Sequence, residues 1–212
     1  MKSLIITRPQ YDHTTYYLFH WSKPVISTAN SMQIKVVDLD GKRATKKELT
    51  SVIKKINPEL ILFNGHGNEL TITGQNGEKL ISVGENENLL KERIVYALSC
   101  SSGKTLGLKA IQSGALTYIG YKEDFVFGTN THFSAKPLDD PRAKLFLEAS
   151  NQVALCLLKG FTTIEAIKAA KQMFLKNFYS VMSSNSENKF LAPYLIWDMQ
   201  HLVLHGSETA KA

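Results

Sequence analysis

Two stretches of this chain end an apolar run on a side chain capable of covalent chemistry. LILFNGHGN carries His66 and IVYALSCSSG carries Cys100, each followed at once by a small residue. A free cysteine is mostly thiol near neutrality, so a nucleophilic one needs an imidazole or a helix N-terminus beside it. His66 is the candidate base and acid, and a helix expected from near Gly103 would add its dipole. The chemistry is acyl transfer: sulfur attacks a carbonyl, a thioester forms, and water hydrolyses it. Backbone N–H groups of Gly67 and Cys100 are the candidate oxyanion donors, since glycine lets a substrate approach closely. Taken singly, a cysteine closing an apolar run is more often a small buried hydrophobe, and a histidine in a glycine-flanked turn is usually structural. Their joint placement is what points to a site.

The elements around them read as follows. SLIITR, residues 3–8, is a first strand closed by Pro9. Residues 11–31 are aromatic-rich, broken by Pro24, and read as a loop with a short helix. MQIKVVDLDG is a second strand with a turn at Asp40 and Gly41. TKKELTSVIKKI is an amphipathic helix, with Thr45 and Glu48 at capping-box spacing and Leu49, Val52, Ile53 and Ile56 on one face. The run into His66 is nearly continuous apolar, the pattern of a strand covered on both faces. TITGQNGEKLI reads as a hairpin around Asn76-Gly77, residues 86–92 as a short polar helix, and RIVYALSC as the next strand. KTLGLKAIQSG is a helix and ALTYIGY a strand. Residues 122–140 lack periodicity and are expected to be a mobile active-site loop. Two helices follow, the first stopping at Gly160, and SSNSENK is a polar link. APYLIWDMQHLVLHG closes the chain as a helix or extended segment and a last strand, with residues 207–212 a frayed tail.

Alternating strands and helices predict a three-layer α/β fold, a mostly parallel central sheet of about six strands flanked by helices. Ligands bind outside the carboxyl ends of such strands, where His66 and Cys100 both fall. If the two strands are neighbours, their backbones lie about 4.8 Å apart.

A length of 212 residues suits one domain spanning 1–212. With 43% hydrophobic and 21% charged residues, the composition is ordinary for a globular protein, and no apolar run is long enough to span a membrane. The first apolar run is too short for a secretory signal, so a cytoplasmic location is expected. Two cysteines in unlike contexts exclude a disulfide framework and a cysteine-rich zinc site. The histidines show no metal-ligand spacing, so neither metal nor other cofactor is expected. The formal charge of +6 is spread along helices, and no basic tract interleaved with aromatics predicts nucleic-acid binding. No G-x-G-x-x-G follows the first strand, which argues against a flavodoxin-like binder.

NGHG after one apolar strand and ALSCSSG after the next resemble the caspase–gingipain–separase superfamily of cysteine peptidases. SCSSGKTLGLKAIQSGALTYIGY is similar to the cysteine strand, helix and following strand of its CHAT branch. GFTTIEAIKAAKQMF resembles a later CHAT helix, and PYLIWDMQHLVLHG the closing CHAT motif, so the resemblance covers residues 58–206 in order. It implies a caspase-like fold, cysteine endopeptidase activity on protein substrates through a Cys100–His66 dyad, and a regulatory protein partner. The alternative is an inert caspase-like module that binds proteins. Many CHAT domains place a Trp then an acidic residue where this chain has Tyr121, Lys122, Glu123 and Asp124. Glu123 and Asp124 could line a pocket for a basic residue before the scissile bond (P1), as in separases. Arg8 instead stands near where caspases place an arginine that reads an acidic one. Trp197 is expected in the core.

Overall fold

The computed structural model describes residues 3–183 and 187–212, so the middle of the polar link SSNSENK lies outside the described residues. β1 (Ser3–Arg8) pairs in parallel with β2 (Lys35–Asp40) on one side and β3 (Leu60–Asn64) on the other. β4 (Gly67–Asn68), β5 (Thr71–Thr73) and β6 (Lys79–Ser82) form a small antiparallel sheet directly after β3. The main sheet continues with β7 (Ile94–Leu98) beside β3 and β8 (Thr117–Tyr121) beside β7, both parallel. β9 (Leu202–Gly206) closes the edge antiparallel to β8, giving a six-stranded order β2-β1-β3-β7-β8-β9.

Alternate side chains of each strand point to opposite faces, and both faces of this sheet are covered. Leu4, Ile6, Leu62, Tyr96 and Ile119 face α1 (His13–Trp21), α2 (Lys23–Ser31), α5 (Pro141–Leu158) and α6 (Thr163–Ser183). Ile5, Ile61, Phe63, Val95 and Tyr118 face α3 (Lys46–Ile56), α4 (Leu106–Gln112) and the small sheet. This double covering is why the strands read as continuous apolar runs. α7 (Ala192–His201) seats Leu195 against Phe146 of α5 and Phe174 of α6 in a third apolar cluster.

The architecture is the three-layer α/β fold that the alternation predicts. Two local expectations are corrected. Residues 13–31 are two helices: Asp12 caps the first with a full capping box to Thr15, and Pro24 sits in the first turn of the second, where proline is tolerated. Residues 207–212 are tied down, because Thr163 N–H donates to Ala210 O and Ile164 N–H to Glu208 O.

Candidate active site

β3 and β7 pair residue for residue, Phe63 opposite Ala97 and Asn64 opposite Leu98, so the chain leaves both strands at the same carboxyl end of the sheet. After Asn64, Gly65 takes φ +150 and donates its N–H to Leu98 O at 3.3 Å. A Cβ on Gly65 would lie 2.7 Å from Thr73 O, which only glycine avoids. His66 O then accepts from Thr73 N–H at 2.9 Å, and Gly67 opens β4. At Gly67 a Cβ would sit 2.1 Å from Ser99 Oγ, so the His66 turn and the Cys100 turn are packed backbone to side chain.

His66 Nε2 lies 2.6 Å from Asp12 Oδ2. The other carboxylate oxygen of Asp12 accepts from Thr15 N–H at 2.8 Å and from Thr15 Oγ–H at 2.7 Å, so one side chain both caps α1 and holds the imidazole. Burial works to raise the Asp12 pKa, but the Thr15 and His66 hydrogen bonds outweigh it and hold the carboxylate below its ordinary value. With Nε2 engaged, Nδ1 is the ring nitrogen left for proton transfer. Asp12 was not singled out in the sequence; the D-x-x-T box before a run of aromatics is the signal that could have found it.

Beyond Cys100 the chain reverses through Ser101, whose φ of +55 is left-handed. Ser101 N–H donates to Glu123 O at 3.0 Å and Gly103 N–H to Tyr121 O at 2.8 Å, fastening the turn to the exit of β8. The expected helix start near Gly103 is corrected: α4 begins at Leu106, with the Gly103 amide spent on Tyr121 O and the Lys104 amide on Ser101 O.

His66 and Cys100 line one open cleft of about 380 Å³, bounded by His13 and Thr14 at the start of α1 and by residues 124–127 after β8. The Cys100 thiol donates to Phe125 O at 3.9 Å rather than to His66. Burial pushes the thiol pKa up and the nearby Asp124 and Asp198 carboxyls add to it, against the Phe125 contact. Asp124 is exposed in the cleft lining, its Oδ1 accepting from Ser101 Oγ–H at 2.9 Å. Glu123 contributes its carbonyl to the Ser101 bond, and its side chain does not line the cleft.

Arg8, expected near an acidic P1 side chain, is not among the residues lining this cleft. Its side chain is 6% exposed and paired with Asp38, Nη1 donates to Phe19 O at 3.0 Å, and the guanidinium lies 4.2 Å from the Phe19 ring centre. With its carboxylate partner matched and its side chain buried against Phe19, Arg8 serves the packing between β1, β2 and α1. Trp197 is also corrected: it is 41% exposed, and its Nε1–H donates to Asp124 O at 2.9 Å. The next residue, Asp198, is fully buried and accepts from Val126 N–H through Oδ1 at 3.0 Å. Among the described residues no cluster of three or more His, Cys, Asp or Glu is arranged to hold a metal, and no helix is long and apolar enough to cross a membrane.

The sheet order and its covering helices are a fold that solved cysteine-proteinase structures share. The complex of the pro- and mature domains of RgpB from Porphyromonas gingivalis matches 98% of this chain at a TM-score of 0.60 and 10% identity. The Arg-specific cysteine proteinase gingipain R matches 98% at 0.57 and 12%. The chain spans about half of those chains, 47% and 46%. No protein-family model matches it, and no curated protein sequence does.

Proposed function

We propose that this chain is a CHAT-like cysteine endopeptidase, with Cys100 the nucleophile, His66 the base and acid, and Asp12 the group that orients His66. The observation that carries the reading is the cleft shared by His66 and Cys100 at the ends of adjacent parallel strands, with Asp12 on one imidazole nitrogen.

In this reading Asp12 accepts from Nε2–H and so leaves the Nδ1 lone pair for Cys100. Nδ1 takes the thiol proton as sulfur bonds to the scissile carbonyl carbon and negative charge moves onto its oxygen. The Gly67 and Cys100 amides hold that oxyanion. Collapse breaks the C–N bond, the imidazolium returns its proton to the departing amine, and a thioester remains. Water then loses a proton to His66 as its oxygen attacks the thioester, the C–S bond breaks, and sulfur regains the proton. Asp124, the carboxylate in the cleft lining, favours a basic P1 side chain. Because the thiol rests on Phe125 O with its pKa raised, the resting chain reacts slowly until a regulatory protein or cleavage rearranges residues 122–140.

The test is labelling by acyloxymethyl ketone probes bearing Arg, Lys or Asp at P1. The expected result is modification of Cys100 by the basic probes, lost in Cys100→Ala and His66→Ala. Absence of labelling under every condition, limited proteolysis within 122–140 included, leaves the protein-binding module as the reading.

A further inference from the structure

Three hydrogen bonds meet on consecutive residues of the segment that walls the cleft. Trp197 Nε1–H holds Asp124 O at 2.9 Å, Cys100 Sγ–H meets Phe125 O at 3.9 Å, and Val126 N–H meets Asp198 Oδ1 at 3.0 Å. The two outer bonds come from neighbouring residues of α7, and the inner one is the thiol contact. The Phe125 ring is anchored as well, 4.7 Å from the Tyr121 ring and partly buried against the α5–α6–α7 cluster. The segment between β8 and α5 is thus pinned by α7 on either side of the one carbonyl that occupies the nucleophile.

The pin is also strained in composition. Asp198 is fully buried, and its second oxygen, Oδ2, has no partner among the described residues. A buried carboxyl with an unmatched oxygen is costly, and such groups persist where the surrounding structure requires them. Hydrophobic replacement at this position would suit the Phe146–Phe174–Leu195 cluster alongside it. The Val126 bond is what the carboxyl does here.

We infer that Trp197 and Asp198 are positioning residues for Cys100: together they seat the Phe125 carbonyl on the thiol and so hold the nucleophile away from His66. They touch neither substrate nor the sulfur, and act only through residues 124–126. Releasing either bond frees Phe125 O to shift and lets the sulfur turn toward the imidazole. The purpose of the latch rests on the reading of Cys100 as a nucleophile, but its test does not require turnover, so the two can fail separately.

The titratable groups around the sulfur are His13, His66 and Asp124 in the cleft lining and Asp198 on the α7 side, with Tyr96 and Tyr121 beyond it. The experiment is the rate of Cys100 alkylation by iodoacetamide, read by mass spectrometry across pH 6 to 10, with Cys156 in the same molecule as an unfolding control. Trp197→Phe removes the donor, and Asp198→Ala removes the acceptor together with the carboxyl beside the thiol. Each is expected to raise the Cys100 rate at pH 7 about five- to tenfold, the effect of about one lost hydrogen bond. The Cys156 rate stays constant. Asp198→Asn keeps an oxygen acceptor and is expected to stay within about twofold of the parent. Unchanged or slower Cys100 alkylation in Trp197→Phe and Asp198→Ala overturns the inference. So does an equal acceleration in Asp198→Asn, which would trace the effect to charge, or a parallel rise at Cys156, which would trace it to unfolding.

Discussion

At the scale of single residues, Asp12 carries two tasks that substitution can separate. Asn caps helices about as well as Asp, so Asp12→Asn is expected to keep α1 and the overall stability while removing the charge beside the imidazole. Probe labelling of Cys100 should then fall roughly tenfold or more, because a histidine without its orienting carboxylate loses tautomer and imidazolium support. Asp12→Ala should lose both, with about 1 kcal/mol of stability gone by urea unfolding. Equal labelling in Asp12→Asn and the parent would remove Asp12 from the site. His66 and Cys100 were legible in the sequence because each ends an apolar run beside small residues, a pattern strand topology makes meaningful. Asp12 and Asp198 were not, since one hides in an aromatic stretch that reads as loop and the other in a closing motif that reads as packing. Arg8 misled for the same reason: its position after β1 was visible, but its partners Asp38 and Phe19 come from other elements.

At the scale of elements, the site depends on how tightly the β3 exit packs against the β7 exit. Gly67→Ala would place a methyl 2.1 Å from Ser99 Oγ and 2.6 Å from Thr71 O, and the second neighbour is backbone that cannot rotate away. The expected cost is about 1–3 kcal/mol of overpacking, seen as a lower melting temperature, together with slower labelling of Cys100. A variant as stable and as reactive as the parent would show that the two turns are not mechanically joined. The strands themselves were readable from continuous apolar runs and the α3 start from its capping box, because those signals are local. The start of α4 was not, because the residues after Cys100 are claimed by tertiary bonds to β8 that outweigh their helix propensity.

At the scale of the whole molecule, two carboxyls with shifted pKa values set how stability depends on pH. Asp12 is held below its ordinary pKa, so its contribution is present at neutral pH and lost as pH falls through the folded value. Asp198 has the opposite sign. Burial raises it well above 3.8, so the folded state favours the neutral acid, and the benefit present at low pH is lost as pH rises toward the folded value. Asp198→Asn removes the titration, and its stability relative to the parent is expected to be higher at pH 8 than at pH 4.5 by about 1.4 kcal/mol or more, one pKa unit's worth. Urea melts at the two pH values check this, and a pH-independent difference would show that Asp198 ionises as freely folded as unfolded.

The cleft is assembled from the whole length of the chain: Asp12 from the first helix, His66 and Cys100 from mid-chain strand ends, and Trp197 and Asp198 from the last helix. During synthesis the thiol and its imidazole therefore exist about a hundred residues before the α7 pin does, at ordinary elongation rates several seconds of exposure. A chain caught in that interval lacks the Trp197 and Asp198 contacts that fix residues 124–126 beside the thiol. On the inference that the α7 pin quiets the thiol, reactivity at Cys100 is a clock for the end of folding, falling as that helix docks.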